Sequence, residues 1–170
     1  IAGLYKSSLG CFDIDQDQDF DFAICGLDDN GQAQTYIYLN EDGDYSELGA
    51  GLEGLYGGML DWGDYNNDGF ADVVISGSDD NGVSRTKVYR NNGDSSFTSL
   101  PGPFNAVSNG SSFWGDFNND GFLDFVVAGR YSSGVTPPPP PADPFMTIYH
   151  YDSGDNFTAQ WMGYPVPDIN

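Results

Sequence analysis

The chain has 170 residues, with 26 aspartates and glutamates against five lysines and arginines and a formal charge of −21 at pH 7. A surface this acidic repels phosphate, which excludes nucleic acid as a partner. Hydrophobic residues at 39% and aromatic residues at 15% exclude a disordered acidic tail, and no apolar run is long enough to span a bilayer.

Taken in order, the chain repeats itself. Repeat 1 covers 1–52. Gly3-Leu4-Tyr5 recurs as Gly54-Leu55-Tyr56, so the chain starts near a repeat boundary. A short strand runs to Cys11 and Phe12, and an oxygen-rich loop follows from Asp13 to Asp21. Phe22-Ala23-Ile24-Cys25-Gly26 is a continuous apolar run, the pattern of a strand covered on both faces. Asp28-Asp29-Asn30-Gly31 predicts a hairpin turn, because Asn-Gly readily takes positive φ. Thr35–Leu39 is the third strand, and Asp42-Gly43-Asp44 turns into a short fourth.

Repeat 2, 53–104, keeps this order: Trp62-Gly63, a loop from Asp64 to Asp72, the run Val73–Gly77, the turn Asp80-Asn81-Gly82, the strand Thr86–Arg90, and a turn into Phe97-Thr98. Repeat 3, 105–170, has Trp114-Gly115, a loop from Asp116 to Asp124, and the run Phe125–Gly129. An insertion at 136–141, Thr136 and five prolines, precedes the strand Met146–Tyr149. Prolines lack the N–H a ladder needs, so this segment reads as a stiff surface loop of polyproline II type. Helical periodicity is absent. The chain is predicted to be all-β, with about three four-stranded blades of the β-propeller type. Cys11, Trp62 and Trp114 share one place, two residues before each loop, where a side chain should pack between blades.

The loops carry the chemistry. From Asp13 to Asp64 is 51 positions and from Asp64 to Asp116 is 52. Oxygen-bearing side chains stand at the first, third, fifth and ninth places: Asp13, Asp15, Asp17 and Asp21, then Asp64, Asn66, Asp68 and Asp72, then Asp116, Asn118, Asp120 and Asp124. Calcium wants about six to eight oxygen ligands, and alternate residues of a tight loop can converge on one. Glycine at the sixth place, Gly69 and Gly121, allows the sharp turn; Gln18 stands there in the first loop, which should distort or weaken that site. Three calcium ions would take the charge from −21 to −15. An EF-hand is excluded, because its twelfth place needs a bidentate glutamate and here holds Ile24, Ile75 and Val127.

The loop pattern, the apolar strand after it, and the turn Tyr89-Arg90-Asn91-Asn92-Gly93-Asp94 leading into Phe97-Thr98 resemble the FG-GAP/VCBS repeat family. That family includes the calcium-binding blades of integrin α-subunits and many secreted, adhesion-like proteins. The resemblance covers essentially the whole chain. It implies calcium in each hairpin loop, with a seventh-place backbone carbonyl as a further ligand, here from Asp19, Phe70 and Phe122.

Several functional expectations follow. Propellers close with about four to eight blades, so three imply more chain, copies that finish a ring, or an open array whose exposed edges and faces invite self-association. Asn109 and Asn156 head glycosylation sequons, and calcium loops of modest charge suit extracellular calcium, which together place the protein outside the cell. No signal peptide is visible and the first residue is Ile1, so the stretch reads as a processed protein or a fragment. Cys11 and Cys25 flank the first loop and admit two readings: a disulfide, or two packed thiols. The single histidine, His150, takes the place of Leu39 and Arg90, which predicts an exposed strand residue and leaves little for a catalytic triad. The expected function is therefore a non-catalytic, extracellular, calcium-binding module for adhesion, assembly or surface structure, with other chains or copies of itself as partners. The alternative is a carbohydrate-binding module or an accessory part of a carbohydrate-active enzyme, with Tyr5, Tyr56, Trp161 and Tyr164 stacking on sugars. Asp68→Ala should destabilise the second repeat more than Asp80→Ala, since Asp80 touches only a turn.

Overall fold

Each period folds into an antiparallel meander of four strands in a computed structural model, which describes residues 3–102, 104–130 and 145–161. The first sheet holds β1 (Tyr5–Phe12), β2 (Asp21–Leu27), β3 (Ala33–Glu41) and β4 (Asp44–Glu47) in that spatial order. The second holds β5 (Leu60–Gly63), β6 (Asp72–Ser78), β7 (Ser84–Asn91) and β8 (Phe97–Ser99). The third holds β9 (Ser108–Gly115), β10 (Asp124–Arg130), β11 (Phe145–Ser153) and β12 (Asn156–Trp161). No helix occurs among the described residues. The three sheets do not close on one another, as expected for part of a propeller-like array. The proline insertion at 136–141 and Tyr164 lie outside the described residues, as does the side chain of Trp161.

The turns form as their residues dictate. Gly31 and Gly82 take φ of 76° and 71°, which side-chain-bearing residues resist. The Asp28 and Asp79 carboxylates each accept two turn N–H groups, from Asn30 and Gln32 and from Asn81 and Val83. Asp80 does more than its turn position suggested. Its Oδ1 accepts the Ala33 N–H of the first sheet at 2.6 Å, so it ties two sheets together. Asp80→Ala is expected to cost about 1–3 kcal/mol in denaturant unfolding, the price of a largely buried amide left unpaired. An unchanged midpoint would show the bond idle.

Two cores lie between the three sheets. Side chains alternate across a strand, so β6 serves both. Val73 and Ile75 face the first sheet, meeting Ala23, Cys25 and Ile37, while Val74 joins Val88, Phe125, Val127 and Tyr149 against the third. Every residue of β6 is buried, which explains its unbroken apolar run. β2 and β10 carry similar apolar runs but each packs against one other described sheet, and each leaves residues half-buried.

The place before the loop is a packing position in the second and third repeats, as expected, whereas Cys11 at that place in the first is exposed. The Trp62 indole donates to the Gly10 carbonyl of the first sheet at 3.3 Å. The Trp114 indole donates to the Asp61 carbonyl of the second at 3.2 Å.

The disulfide reading is corrected. Cys11 and Cys25 are both free thiols, one exposed and one buried. Cys11 pairs with Phe22 and Cys25 with Ser8, which sets them three strand positions apart, about 10 Å, with side chains on opposite faces. A disulfide requires Cα atoms within about 7 Å.

Candidate metal centres

The three loops join the first two strands of each sheet, and each is anchored by its last residue. Asp21, Asp72 and Asp124 are fully buried. One oxygen of each accepts the N–H of the loop's second residue: Ile14 at 2.7 Å, Tyr65 at 3.2 Å and Phe117 at 3.1 Å. The other accepts an N–H from the third strand: Asn40 at 2.8 Å, Asn91 at 2.9 Å and Tyr151 at 3.0 Å. The ninth-place carboxylate therefore clamps the loop to the middle of its own sheet. Burial raises the pKa of Asp21, and pushes that of Asp72 up to about 7.

The first-place carboxylates hold the turn. Asp64 accepts the N–H groups of Asp68 and Gly69, at 3.1 and 2.9 Å, and Asp116 accepts those of Asp120 and Gly121, at 3.2 and 3.1 Å. Asp13 accepts only that of Gln18, at 3.1 Å. At the third and fifth places, Asn66 pairs with Asp68 and Asn118 with Asp120 through their side-chain amides. The rings of Phe70 and Phe122 lie over Gly93 and beside Tyr151, so these residues can offer a metal only their main chain.

The first loop keeps its turn despite Gln18, though Asp13 accepts one N–H where Asp64 and Asp116 each accept two. Gln18 takes φ of 79°, the conformation Gly69 and Gly121 take at 94° and 91°, so the turn survives at a strain of about 1–2 kcal/mol. Far from losing its geometry, this loop brings Asp13, Asp15 and Asp21 together, with one oxygen of each inside a 4.8 Å span. Among the described residues no other group of three acids, histidines or cysteines converges in this way. Asp13 Oδ1 and Asp15 Oδ1 are buried with no hydrogen-bond partner. Burial raises the pKa of Asp15, with the charges of Asp17 and Asp13 adding to it. Three like charges with two orphaned oxygens are costly unless a cation sits among them, and an all-oxygen donor set suits a hard one. The residues present fit calcium. Asp17 and Asp19 stand outside the cluster, accepting the N–H groups of Asp19 and Asp42.

Adjacent loops are linked, which the loop pattern alone did not reveal. The fourth-place amide of one loop donates to the sixth-place carbonyl of the next: Gln16 to Gly69 at 2.6 Å, and Asn67 to Gly121 at 3.0 Å. An amide at the fourth place of all three loops, Gln16, Asn67 and Asn119, was the available signal.

His150 is not the exposed strand residue that its place suggested. Its Nδ1 lies 2.8 Å from the buried Asp124 carboxylate and its Nε2 lies 2.8 Å from Gln160 Oε1. The Gln160 bond raises its pKa most, and the bond and charge of Asp124 add to this against the opposing effect of burial. The sequon residues Asn109 and Asn156 are both exposed, and the Asn156 amide donates to Ser153 and Gly154 in its turn. Of the aromatics weighed for sugar stacking, Tyr5 is half exposed and Tyr56 lies under the Lys6 ammonium.

Comparison with known proteins matches part of this geometry. Residues 64–127 match the FG-GAP-like repeat, a stretch running from the second loop through the third to β10. It contains both glycine-bearing loops and stops short of the loop with Gln18. No curated protein matches the chain.

Proposed function

Because residues 64–127 match an FG-GAP-like repeat, we propose that the chain is a non-catalytic, extracellular, calcium-stabilised repeat module for adhesion, assembly or surface structure. The observation that carries the calcium reading is the first loop, where Asp13, Asp15 and Asp21 converge around two buried oxygens that lack any donor. Calcium would be held there by those carboxylates, and in the other loops by Asp64, Asn66, Asp68 and Asp72 and by Asp116, Asn118, Asp120 and Asp124. Bound calcium supplies charge neutralisation and cross-linking, not reaction chemistry. The protein's own residues do the rest: each ninth-place aspartate already clamps loop to sheet, so a cation gripping it would stiffen the hairpin and its neighbours.

Two further observations support the reading. His150, on β11, is engaged by Asp124 and Gln160, a structural role beside the third loop. Asn109 and Asn156 stand on the surface, where a secreted chain would accept glycan.

Calorimetric titration with calcium tests the proposal. Uptake of about three ions per chain is expected, falling by one in Asp21→Ala. No heat and no change in thermal unfolding on adding calcium would retire the calcium role.

A further inference from the structure

On the calcium reading proposed above, we infer that the loops form a coupled series, with Gln16 and Asn67 as the positioning residues that join each loop to the next. Calcium in one loop then raises the affinity of its neighbour.

Each donor sits among ligand residues. Gln16 directly follows Asp15 of the converging carboxylates, and Asn67 lies between Asn66 and Asp68 of the second loop's oxygen set. Both take positive φ, 67° and 58°, a backbone state few side-chain-bearing residues adopt. From there the Gln16 amide crosses to the Gly69 carbonyl at 2.6 Å, and the Asn67 amide to the Gly121 carbonyl at 3.0 Å. A cation held by the residues beside the donor would fix its backbone, and with it the crossing amide.

Each acceptor belongs to a peptide that the next loop's own ligand also holds. The Gly69 carbonyl shares a plane with the Phe70 N–H, which donates to Asp68 Oδ1 at 2.9 Å. The Gly121 carbonyl shares one with the Phe122 N–H, which donates to Asp120 Oδ1 at 2.9 Å. One peptide is thus gripped by the preceding loop at its oxygen and by a fifth-place aspartate at its nitrogen. The same peptide leads directly into Phe70 or Phe122, the seventh-place residues. Fixing it in advance leaves less conformational entropy for ion binding to remove, which makes the coupling positive.

A buried path runs parallel to this one. Asp21 accepts the Ile14 N–H at 2.7 Å, the Ile14 carbonyl accepts the Asn91 side-chain amide at 3.0 Å, and the Asn91 N–H donates to Asp72 at 2.9 Å. The ninth-place clamps of the first two loops are therefore joined by a continuous line of buried hydrogen bonds. Between the second and third loops the equivalent residues are Tyr65 and Tyr151. Their N–H groups go to Asp72 and Asp124, and their rings meet at 5.1 Å. Both pairs of loops thus have an outer link through an amide and an inner link through the core.

Charge alone gives the opposite sign. An ion in one loop weakens the negative potential that attracts an ion to the next. The two effects can therefore be told apart.

The test is a calcium titration of the whole chain, followed through the amide NMR signals of Gln18, Gly69 and Gly121, one in each loop. Asp15→Ala cripples the first loop and should weaken the second about tenfold, although Asp15 is no ligand of it. Glycine at a donor keeps the positive φ and removes only the amide. Gln16→Gly should weaken the second loop about fivefold, the worth of one hydrogen bond, and Asn67→Gly the third. Asp15→Ala added to Gln16→Gly should affect the second loop less than it does in the unaltered chain. Hydrogen exchange in chelator reads the link without the metal: the Phe70 N–H in Gln16→Gly and the Phe122 N–H in Asn67→Gly should exchange about fivefold faster. Uptake at independent sites overturns this inference alone. So does a second loop strengthened by Asp15→Ala, coupling indifferent to both glycines, or unchanged exchange at both amides. No uptake at any loop would overturn the calcium reading and this inference together.

Discussion

Tyr65→Ala is expected to cost about 3–5 kcal/mol, the loss seen when a fully buried large aromatic leaves a cavity. Tyr65 is the second residue of the second loop, and its side chain is wholly buried between two sheets. Its ring stacks on Trp114 with centroids 5.7 Å apart, and meets Tyr151 and Phe157 at 5.1 and 5.3 Å. Its hydroxyl donates to Asp155 Oδ1 at 2.5 Å, while Arg90 reaches the other oxygen of that carboxylate at 2.6 Å. Burial raises the phenol's pKa, and the Asp155 bond adds to this, so the hydroxyl stays a donor. Removing the ring therefore empties a pocket and frees a hairpin turn of the third sheet together. At this chain length the loss should lower Tm by roughly 6–20 °C in calorimetry. Tyr65→Phe keeps the ring and should cost only about 1.5–3 kcal/mol, the worth of a hydrogen bond to a charged group. Equal losses from the two variants would show that the hydroxyl, not the packing, holds the sheets together.

The stability of the chelator-treated protein should rise as pH falls from about 7.5 to about 5, the reverse of ordinary acid unfolding. Burial lifts the folded Asp72 carboxyl to about 7, while an unfolded aspartate releases its proton near 4. Between those values the folded state holds more protons than the unfolded one, so each rise in pH costs stability. Linkage with those two values corresponds to roughly 2–3 kcal/mol between pH 5 and 7.5. The raised pKa of His150 acts with the same sign: its contribution is full below the unfolded value and is lost as pH rises through the folded one. Calcium should invert the profile, because it binds the ionised loop and competes with protons. Denaturant unfolding at the two pH values, with and without calcium, measures this directly. Parallel profiles in calcium and chelator would mean that the metal and the Asp72 proton do not compete.

The loops were legible because their chemistry is local. Oxygen at alternate places with a glycine at the sixth is a pattern of one short segment, and the period of about 50 repeats it in register. The strands and hairpins were legible for the same reason, since alternation and Asn-Gly turns need no distant partner. Gln18 does not break the turn: the backbone takes the left-handed conformation regardless, held by the Asp13 carboxylate on the Gln18 N–H. Cys11 and Cys25 could not be resolved from spacing, because only strand register says whether two thiols share a face.

What the sequence by itself determined is the repeat unit: four strands, one acidic loop, and a tryptophan place at the entrance to each loop. What only the tertiary structure decided is how units meet. Asp80 reaching Ala33, Gln16 reaching Gly69, Tyr65 reaching Asp155 and His150 lying against Asp124 join residues 47, 53, 90 and 26 positions apart. Such contacts depend on the stacking of whole sheets, which no local pattern encodes.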